Sequence, residues 1–292
     1  MNNFISNPSE TKRIIKEHQF TFKKSLGQNF LIEPNILNKI VEKAGVSKET
    51  AIIEIGPGIG ALTQKLAEKA GKVIAVEIDQ RLLPILNKTL AEYPHAEVIH
   101  GDVLKLSLNK IIEEKLMGFK EIKIVANLPY YITTPIIMKL LEEKLPITSI
   151  TVMVQKEVGE RINAQPGTKD YGSLTLAIQY YAESKILFTV PKTVFMPPPN
   201  VDSLILQLTI RETPAVYVEN EELLFQIIKT GFSQRRKTLF NNLTHQLIAK
   251  EKKAELEQLL QSIDINPQRR AETLTIEEFA KLSAKIEPII TK

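Results

Sequence analysis

Ala51-Ile52-Ile53-Glu54-Ile55-Gly56-Pro57-Gly58-Ile59-Gly60-Ala61 is the stretch that decides the fold. A short β-rich apolar run meets three glycines at alternate positions, and helical periodicity follows from Ala61 to Ala70. Glycine suits a tight strand-to-helix turn because it adopts backbone angles other residues resist, and because it lets a ligand approach the main chain. The spacing is G-x-G-x-G, one residue shorter than the dinucleotide fingerprint G-x-G-x-x-G. Taken alone, such a loop is equally an ordinary tight turn.

Working outward, β-rich runs alternate with helical ones, the pattern of a parallel sheet with crossover helices. The predicted strands are Ala51–Ile55, Lys72–Glu77, Glu97–His100, Glu121–Ala126, Ser149–Gln155, Ser184–Val190 and Asp202–Ile210. Helices are predicted over Ala61–Ala70, Arg81–Ala91 and Pro135–Lys144. Only the proline-rich stretch 191–200 separates the last two strands, so they are expected to pair antiparallel and make the sheet mixed. From residue 211 a linker leads into helical patterns at Glu222–Thr230, Lys237–Ala249, Lys252–Ser262 and Ile276–Lys285. Two domains are therefore expected, residues 1–210 and a small all-α domain over 211–292.

In an open α/β sheet, ligands sit beyond the carboxyl ends of the strands where strand order reverses. Glu77 ends the second predicted strand, 21 residues after Gly56, the distance at which an acid takes the hydroxyls of an adenosine ribose. Asp102 follows the third strand and Asn127 the fourth. Each alone is as well a helix cap or turn residue; on consecutive strand ends they predict a pocket. No lysine follows the glycines, and Glu54, Glu77 and Asp102 would repel a polyphosphate. A cationic nucleoside fits such a crevice, and S-adenosyl-L-methionine, with its sulfonium and α-amino groups, is the expected cofactor.

Asn127-Leu128-Pro129-Tyr130 ends the fourth strand. It resembles the [N/D/S]-[P/I/L]-P-[Y/F] motif of methyltransferases that modify a nitrogen conjugated to a planar ring. The amide oxygen of Asn127 and the carbonyl of Leu128 suit the two N–H bonds of an adenine amino group, directing its lone pair at a methyl donor. Tyr130, beyond the turn made by Pro129, would stack on a base held out of its helix. On the tetrapeptide alone, a proline turn with a core tyrosine is an equal reading.

Further motifs extend the likeness: Lys24-Ser25-Leu26-Gly27-Gln28-Asn29-Phe30-Leu31, Gln155-Lys156-Glu157-Val158, Asp170-Tyr171-Gly172, Phe195-Met196-Pro197-Pro198-Pro199, Val201-Asp202-Ser203, Gln234-Arg235-Arg236-Lys237 and Arg270-Ala271-Glu272-Thr273-Leu274. Together these resemble the ribosomal RNA adenine dimethyltransferases, most closely those of the bacterial small subunit. The resemblance implies a Rossmann-like class I methyltransferase fold, a seven-stranded mixed sheet with helices on both faces and a helical C-terminal RNA-binding domain. It implies that Asn29 and Leu31 close over S-adenosylmethionine, with Gly56 against it, Glu77 on the ribose, Asp102 on the adenine amino group and Asn127 between cofactor and target. Phe195 would face Tyr130 across the flipped adenine. The implied reaction dimethylates N6 of two adjacent adenosines in the hairpin near the 3′ end of small-subunit (16S) rRNA, on the immature 30S subunit. Three other readings stay open: a large-subunit (23S) rRNA methyltransferase of the macrolide-resistance kind, a ribosome-assembly checkpoint with methylation secondary, and a small-molecule methyltransferase, against which the paired basic segments and the separate helical domain argue.

Charge supports an RNA partner. The net charge of +4 is uneven: residues 11–30 and residues 226–240 each carry +4. Lys23, Lys24, Arg235, Arg236 and Lys237 are the expected phosphate contacts, the last three opening a helix. Cys is absent, excluding disulfides, thiolate zinc sites and cysteine nucleophiles. The four histidines lack metal-ligand spacing, so no metal is expected; nor is a membrane partner, since no stretch has the apolar length of a span. A monomer in the cytoplasm is the expectation.

Overall fold

Parallel pairing of short apolar strands builds the frame of the molecule. The computed structural model describes residues 4–23 and 26–290. Its strands are β1 (Phe30–Leu31), β2 (Thr50–Ile55), β3 (Lys72–Glu77), β4 (Ala96–His100), β5 (Glu121–Asn127), β6 (Ser149–Gln155), β7 (Ala182–Val190), β8 (Phe195–Met196) and β9 (Ser203–Ile210). Seven form one sheet in the order β4-β3-β2-β5-β6-β9-β7, and β1 pairs with β8 in a separate ribbon. The strands β4, β3, β2, β5 and β6 run parallel to one another, while β9 runs antiparallel to β6 from Ser149↔Thr209 to Gln155↔Ser203. The mixed sheet read from the sequence is present, with β7 and β9 as neighbours.

Every residue of β2 is buried, as a central parallel strand covered on both faces requires. The chain moves outward from β2 through β3 to β4, then returns to the other side of β2 as β5 and continues to β6. Right-handed crossovers running in opposite directions send their helices to opposite faces. The reversal lies between β2 and β5, where Ile55 is paired with Ala126, so the glycine loop and Asn127 leave the sheet side by side. That juxtaposition creates the site.

By their contacts the residues separate into two units: one runs to Gly159 and includes Lys185–Ile210, the other comprises Glu160–Ser184 and the chain from Arg211 onward. The sequence boundary at residue 210 thus differs for one segment, 160–184. Long-range bonds within the second unit explain it: the buried Tyr171 hydroxyl donates to Leu274 O at 3.0 Å, and Gly167 N to Glu272 O at 2.7 Å. Tyr180 meets Phe225 edge-on at 5.3 Å, and Tyr181 stacks on it at 5.8 Å. The helices of this unit are Ser173–Tyr181, Glu221–Gly231, Leu239–Gln246, Lys253–Ser262 and Ile276–Ile286.

Candidate active site

Gly56 and Gly58 take left-handed φ values of 71° and 60°. A Cβ on Gly56 would meet nothing nearer than Asn127 O at 3.9 Å, so the main chain there faces open space. A Cβ on Gly58 would stand 2.9 Å from the Phe30 ring. The first glycine leaves room for a ligand, and the second lets the segment around Phe30 pack down on the loop. The crevice so formed is lined by residues 26–31, by Glu54 and 56–59, by Glu77 and Ile78, and by 126–131.

Two buried acids face it. Glu77, 4% exposed at the end of β3, accepts Asp79 N at 2.8 Å and Gly58 N at 3.3 Å. Burial pushes its carboxyl up to about 7 despite those bonds. Glu54, 1% exposed, is pushed up to about 8 by burial and further by the neighbouring Glu77 charge. Its Oε2 has no hydrogen-bond partner among the described residues. An orphaned carboxylate oxygen beside a cradle open at Gly56 fits a cationic nucleoside and disfavours an anionic one. These residues therefore fit S-adenosylmethionine.

Asn127 ends β5 half-buried, and its Nδ2 donates to Asn29 O at 3.3 Å. That bond fixes the amide and leaves Oδ1 as the acceptor. Tyr130 is held by a 2.7 Å bond between its hydroxyl and Oγ of the fully buried Ser203. The backbone turns at Pro129, whose carbonyl accepts Ile132 N at 3.2 Å and the Thr133 hydroxyl at 3.0 Å. Leu31, in β1, pairs with Phe195 in β8. Sequence reading found neither two-residue strand, because so short a run carries no period.

The structure gathers Asn29, Leu31, Gly56, Glu77, Asn127, Leu128, Pro129 and Tyr130 around one crevice. Two expected residues lie outside its lining. Asp102 instead caps the turn after β4, accepting Leu104 N at 3.0 Å, with Lys105 Nζ at 3.9 Å. Phe195 is buried in the core, 3% exposed, because pairing with Leu31 draws it inward. Ile78 and Tyr131 line the mouth half-exposed, two flat or apolar surfaces that the reading passed over. An apolar residue directly after a strand-end acid was the available signal for Ile78.

Lys23 is exposed, and Lys24 lies outside the described residues. Arg235, Arg236 and Lys237 are exposed but do not open a helix. They form the turn before Leu239–Gln246, which starts one residue after its cap, Thr238, whose hydroxyl accepts Asn241 N at 3.2 Å. Arg235 also donates to Lys169 O and stands 3.7 Å from Glu272, so its charge is partly used within its own unit. Among the described residues no group of three or more His, Cys, Asp or Glu could hold a metal ion. No described helix is long and apolar enough to cross a membrane.

Comparisons with known proteins bear on this geometry. A family profile described as ribosomal RNA adenine dimethylase matches residues 19–285. Ribosomal RNA small subunit methyltransferase A of Bacillus pumilus (strain SAFR-032) is 60% identical over 284 residues, 97% of each chain. The protein of that name from Geobacillus thermodenitrificans (strain NG80-2) is 56% identical over 290 residues, 99% of each. Among solved structures, a dimethyladenosine transferase from Plasmodium falciparum matches with a TM-score of 0.75 at 28% identity, covering 89% of this chain and 99% of that one. The 23S rRNA methyltransferase ErmE matches with a TM-score of 0.64 at 25% identity, covering 88% and 99%.

Proposed function

The chain belongs to the ribosomal RNA adenine dimethylase family, and we propose that it dimethylates N6 of two adjacent adenosines in the 3′-terminal hairpin of small-subunit rRNA. S-adenosyl-L-methionine supplies the methyl group, carried as an electrophile on a sulfonium sulfur. What carries the reading is Asn127 at the strand reversal, its Nδ2 committed to Asn29 O and its Oδ1 left to accept. The adenine amino nitrogen is a weak nucleophile because its lone pair is shared with the ring. Asn127 Oδ1 and Leu128 O accept its two N–H bonds and favour the pyramidal form, and Tyr130, held through Ser203, fixes the ring plane. The proton departs after transfer, so no strong base is needed. After one methylation a single N–H remains, and the second transfer proceeds with one acceptor disengaged.

On the cofactor side, Glu77 takes the ribose hydroxyls and Asn29, Leu31 and Gly56 enclose the rest, while Asp102, which follows β4 outside the crevice lining, takes the adenine amino group with the carboxylate oxygen that its turn bond to Leu104 N leaves. Exclusion of water comes from Phe30 and Leu31. The unit that runs to Gly159 and includes Lys185–Ile210 makes the catalytic domain in this reading, and the unit of Glu160–Ser184 with the helical region from Arg211 holds RNA. Lys23, Lys24, Arg236 and Lys237 contact phosphates, with Arg235 contributing the charge its internal bonds leave available. The substrate is the immature small subunit in the cytoplasm, met by a monomer. Small-subunit RNA is favoured over large-subunit RNA by relatives at 55–60% identity along the full chain.

Affinity for S-adenosylmethionine should depend on pH. Glu77 stands at about 7 and Glu54 at about 8 without ligand, and a cation with two hydroxyl donors favours the ionised forms. Binding therefore releases protons and tightens as pH rises, by about tenfold per pH unit below the pKa for each carboxyl that must ionise. Calorimetry in buffers of different ionisation enthalpy would register the protons, and a dissociation constant flat from about pH 6 to about pH 8 would contradict this. Stability without ligand runs the other way. Carboxyls with raised folded-state pKa values bind more protons folded than unfolded, so their contribution is lost as pH rises through about 7 to 8.

Mass spectrometry of nucleosides tests the function, after incubation of the protein and S-adenosylmethionine with unmethylated small subunits or with naked large-subunit rRNA. N6,N6-dimethyladenosine in the small-subunit RNA alone is the expected result. Product only in the large-subunit RNA would transfer the protein to the resistance group. A protein that binds small subunits without modifying them would be acting as an assembly checkpoint.

A further inference from the structure

Asp79 is a buried carboxylate, 5% exposed, two residues past Glu77, and neither the sequence motifs nor the reaction assigns it a role. A buried charge persists only when it is paired and hydrogen-bonded. Arg81 pairs with it as a fork, Nε to Oδ1 at 2.9 Å and Nη2 to Oδ2 at 2.6 Å, and the Gln28 amide donates to Oδ2 at 2.8 Å. All these bonds favour the charged form, and Arg81 above all holds the carboxyl down to about 2.

Each partner of Asp79 also grips the segment before β1. Arg81 Nη1 donates to Thr21 O at 3.0 Å, and its guanidinium lies 4.9 Å from the Phe20 ring centroid. Gln28 uses the other end of its amide to accept Lys23 N at 2.9 Å. Phe20, Phe22 and Phe30 form one cluster with centroids 5.1 to 5.8 Å apart, and Phe30 bears on Gly58. Residues 20–23 and 26–31 are thus joined to the end of β3 by a polar anchor, and to the glycine loop by an apolar one. Residues 26–31 of that segment line the crevice.

We propose that Asp79, Arg81 and Gln28 form a latch that keeps residues 20–23 and 26–31 closed over the nucleoside crevice, and that they are positioning residues setting how long the cofactor is retained. The inference rests on the proposed use of this crevice for S-adenosylmethionine. A ligand enclosed by residues 26–31 leaves only when they lift, and lifting them breaks the Gln28 and Arg81 bonds. Water can replace those bonds, so the anchor opens reversibly where a purely apolar one would expose the phenylalanines first. Asp79 also orients Glu77 through the N–H it donates to Oε1, so latch and ribose acceptor share one turn.

The test measures release of radiolabelled S-adenosylhomocysteine and hydrogen exchange of residues 20–31 in the ligand-free protein. Gln28→Ala and Arg81→Gln should each speed release by about tenfold, the loss of a hydrogen bond to a charged group. Both should raise KM for S-adenosylmethionine in parallel and hasten exchange in 20–31 while the exchange of β2 and β5 stays slow, and Arg81→Gln, outside the crevice lining, should leave kcat at saturation unchanged. Gln28→Glu, of the same shape and set against a like charge, keeps the test decisive should either variant fail to fold, and should release at least as fast as Gln28→Ala. Unchanged release and exchange in folded variants would overturn the latch. A wild-type protein that retains no S-adenosylhomocysteine would instead overturn the reading of the crevice.

Discussion

Asn127→Ala is expected to lower methyl transfer by about 10²–10³-fold in kcat, the loss associated with removing one preorganised polar group from a reacting centre. Alanine takes away the Oδ1 that accepts an N–H of the target nitrogen and the Nδ2 that donates to Asn29 O at 3.3 Å. The first loss falls on the transition state, where the nitrogen becomes pyramidal; the second loosens the closing segment and raises KM for the donor by a smaller factor. β5 should survive, because its pairing with β2 and β6 is made by the main chain. Single-turnover transfer on small subunits, alongside subunit binding and a thermal melt, separates these effects. Transfer within tenfold of the wild type would remove Asn127 from the mechanism.

Gly58→Val should act through the other wall of the crevice, on stability and donor binding together. A β-branched residue at φ 60° meets the left-handed penalty, about 1–2 kcal/mol for L-residues. Its side chain would also drive into the Phe30 ring, 2.9 Å from the first added carbon, and overpacking costs about 1–3 kcal/mol more. Phe30 has nowhere to go, being buried, packed on Phe20 and Phe22, and tied by β1 to Met196. The melting temperature should drop by several degrees and donor affinity by more than tenfold. Gly118→Ala, at a position where an added Cβ meets nothing within 4 Å, is the control and should change neither. Donor affinity preserved in Gly58→Val would mean that Phe30 does not seal the crevice.

Much of this was legible in the chain because central parallel strands announce themselves: Ile52, Ile53, Ile74 and Val125 are apolar whichever face they present. Once those strands are in order, Gly56, Glu77 and Asn127 fall at their ends without further information. Three features escaped for separate physical reasons. The ribbon of β1 and β8 is two residues long, below any periodicity, so the pairing of Phe195 with Leu31 could not be foreseen. The segment 160–184 reads like the rest of the α/β pattern, and only pairings about a hundred residues away, such as Tyr171 with Leu274, assign it elsewhere. Asp79 caps the short helical turn after β3 by accepting Arg81 N, and its bond to Gln28 spans 51 residues, beyond any local pattern.

The division of the chain at Gly159, Ser184 and Ile210 has an implication for inheritance. The backbone passes between the two units three times, so the second is not a module hung on a single tether. A gene cut after Ile210 would leave Tyr171, Leu176 and Ile178 in the product without the helices that bury them. Exchange of this unit between relatives by one crossover would graft half a core onto a foreign half. Variation in the helical unit must therefore arrive as point substitutions compatible with residues 160–184, and the two pieces of the unit are bound to change together.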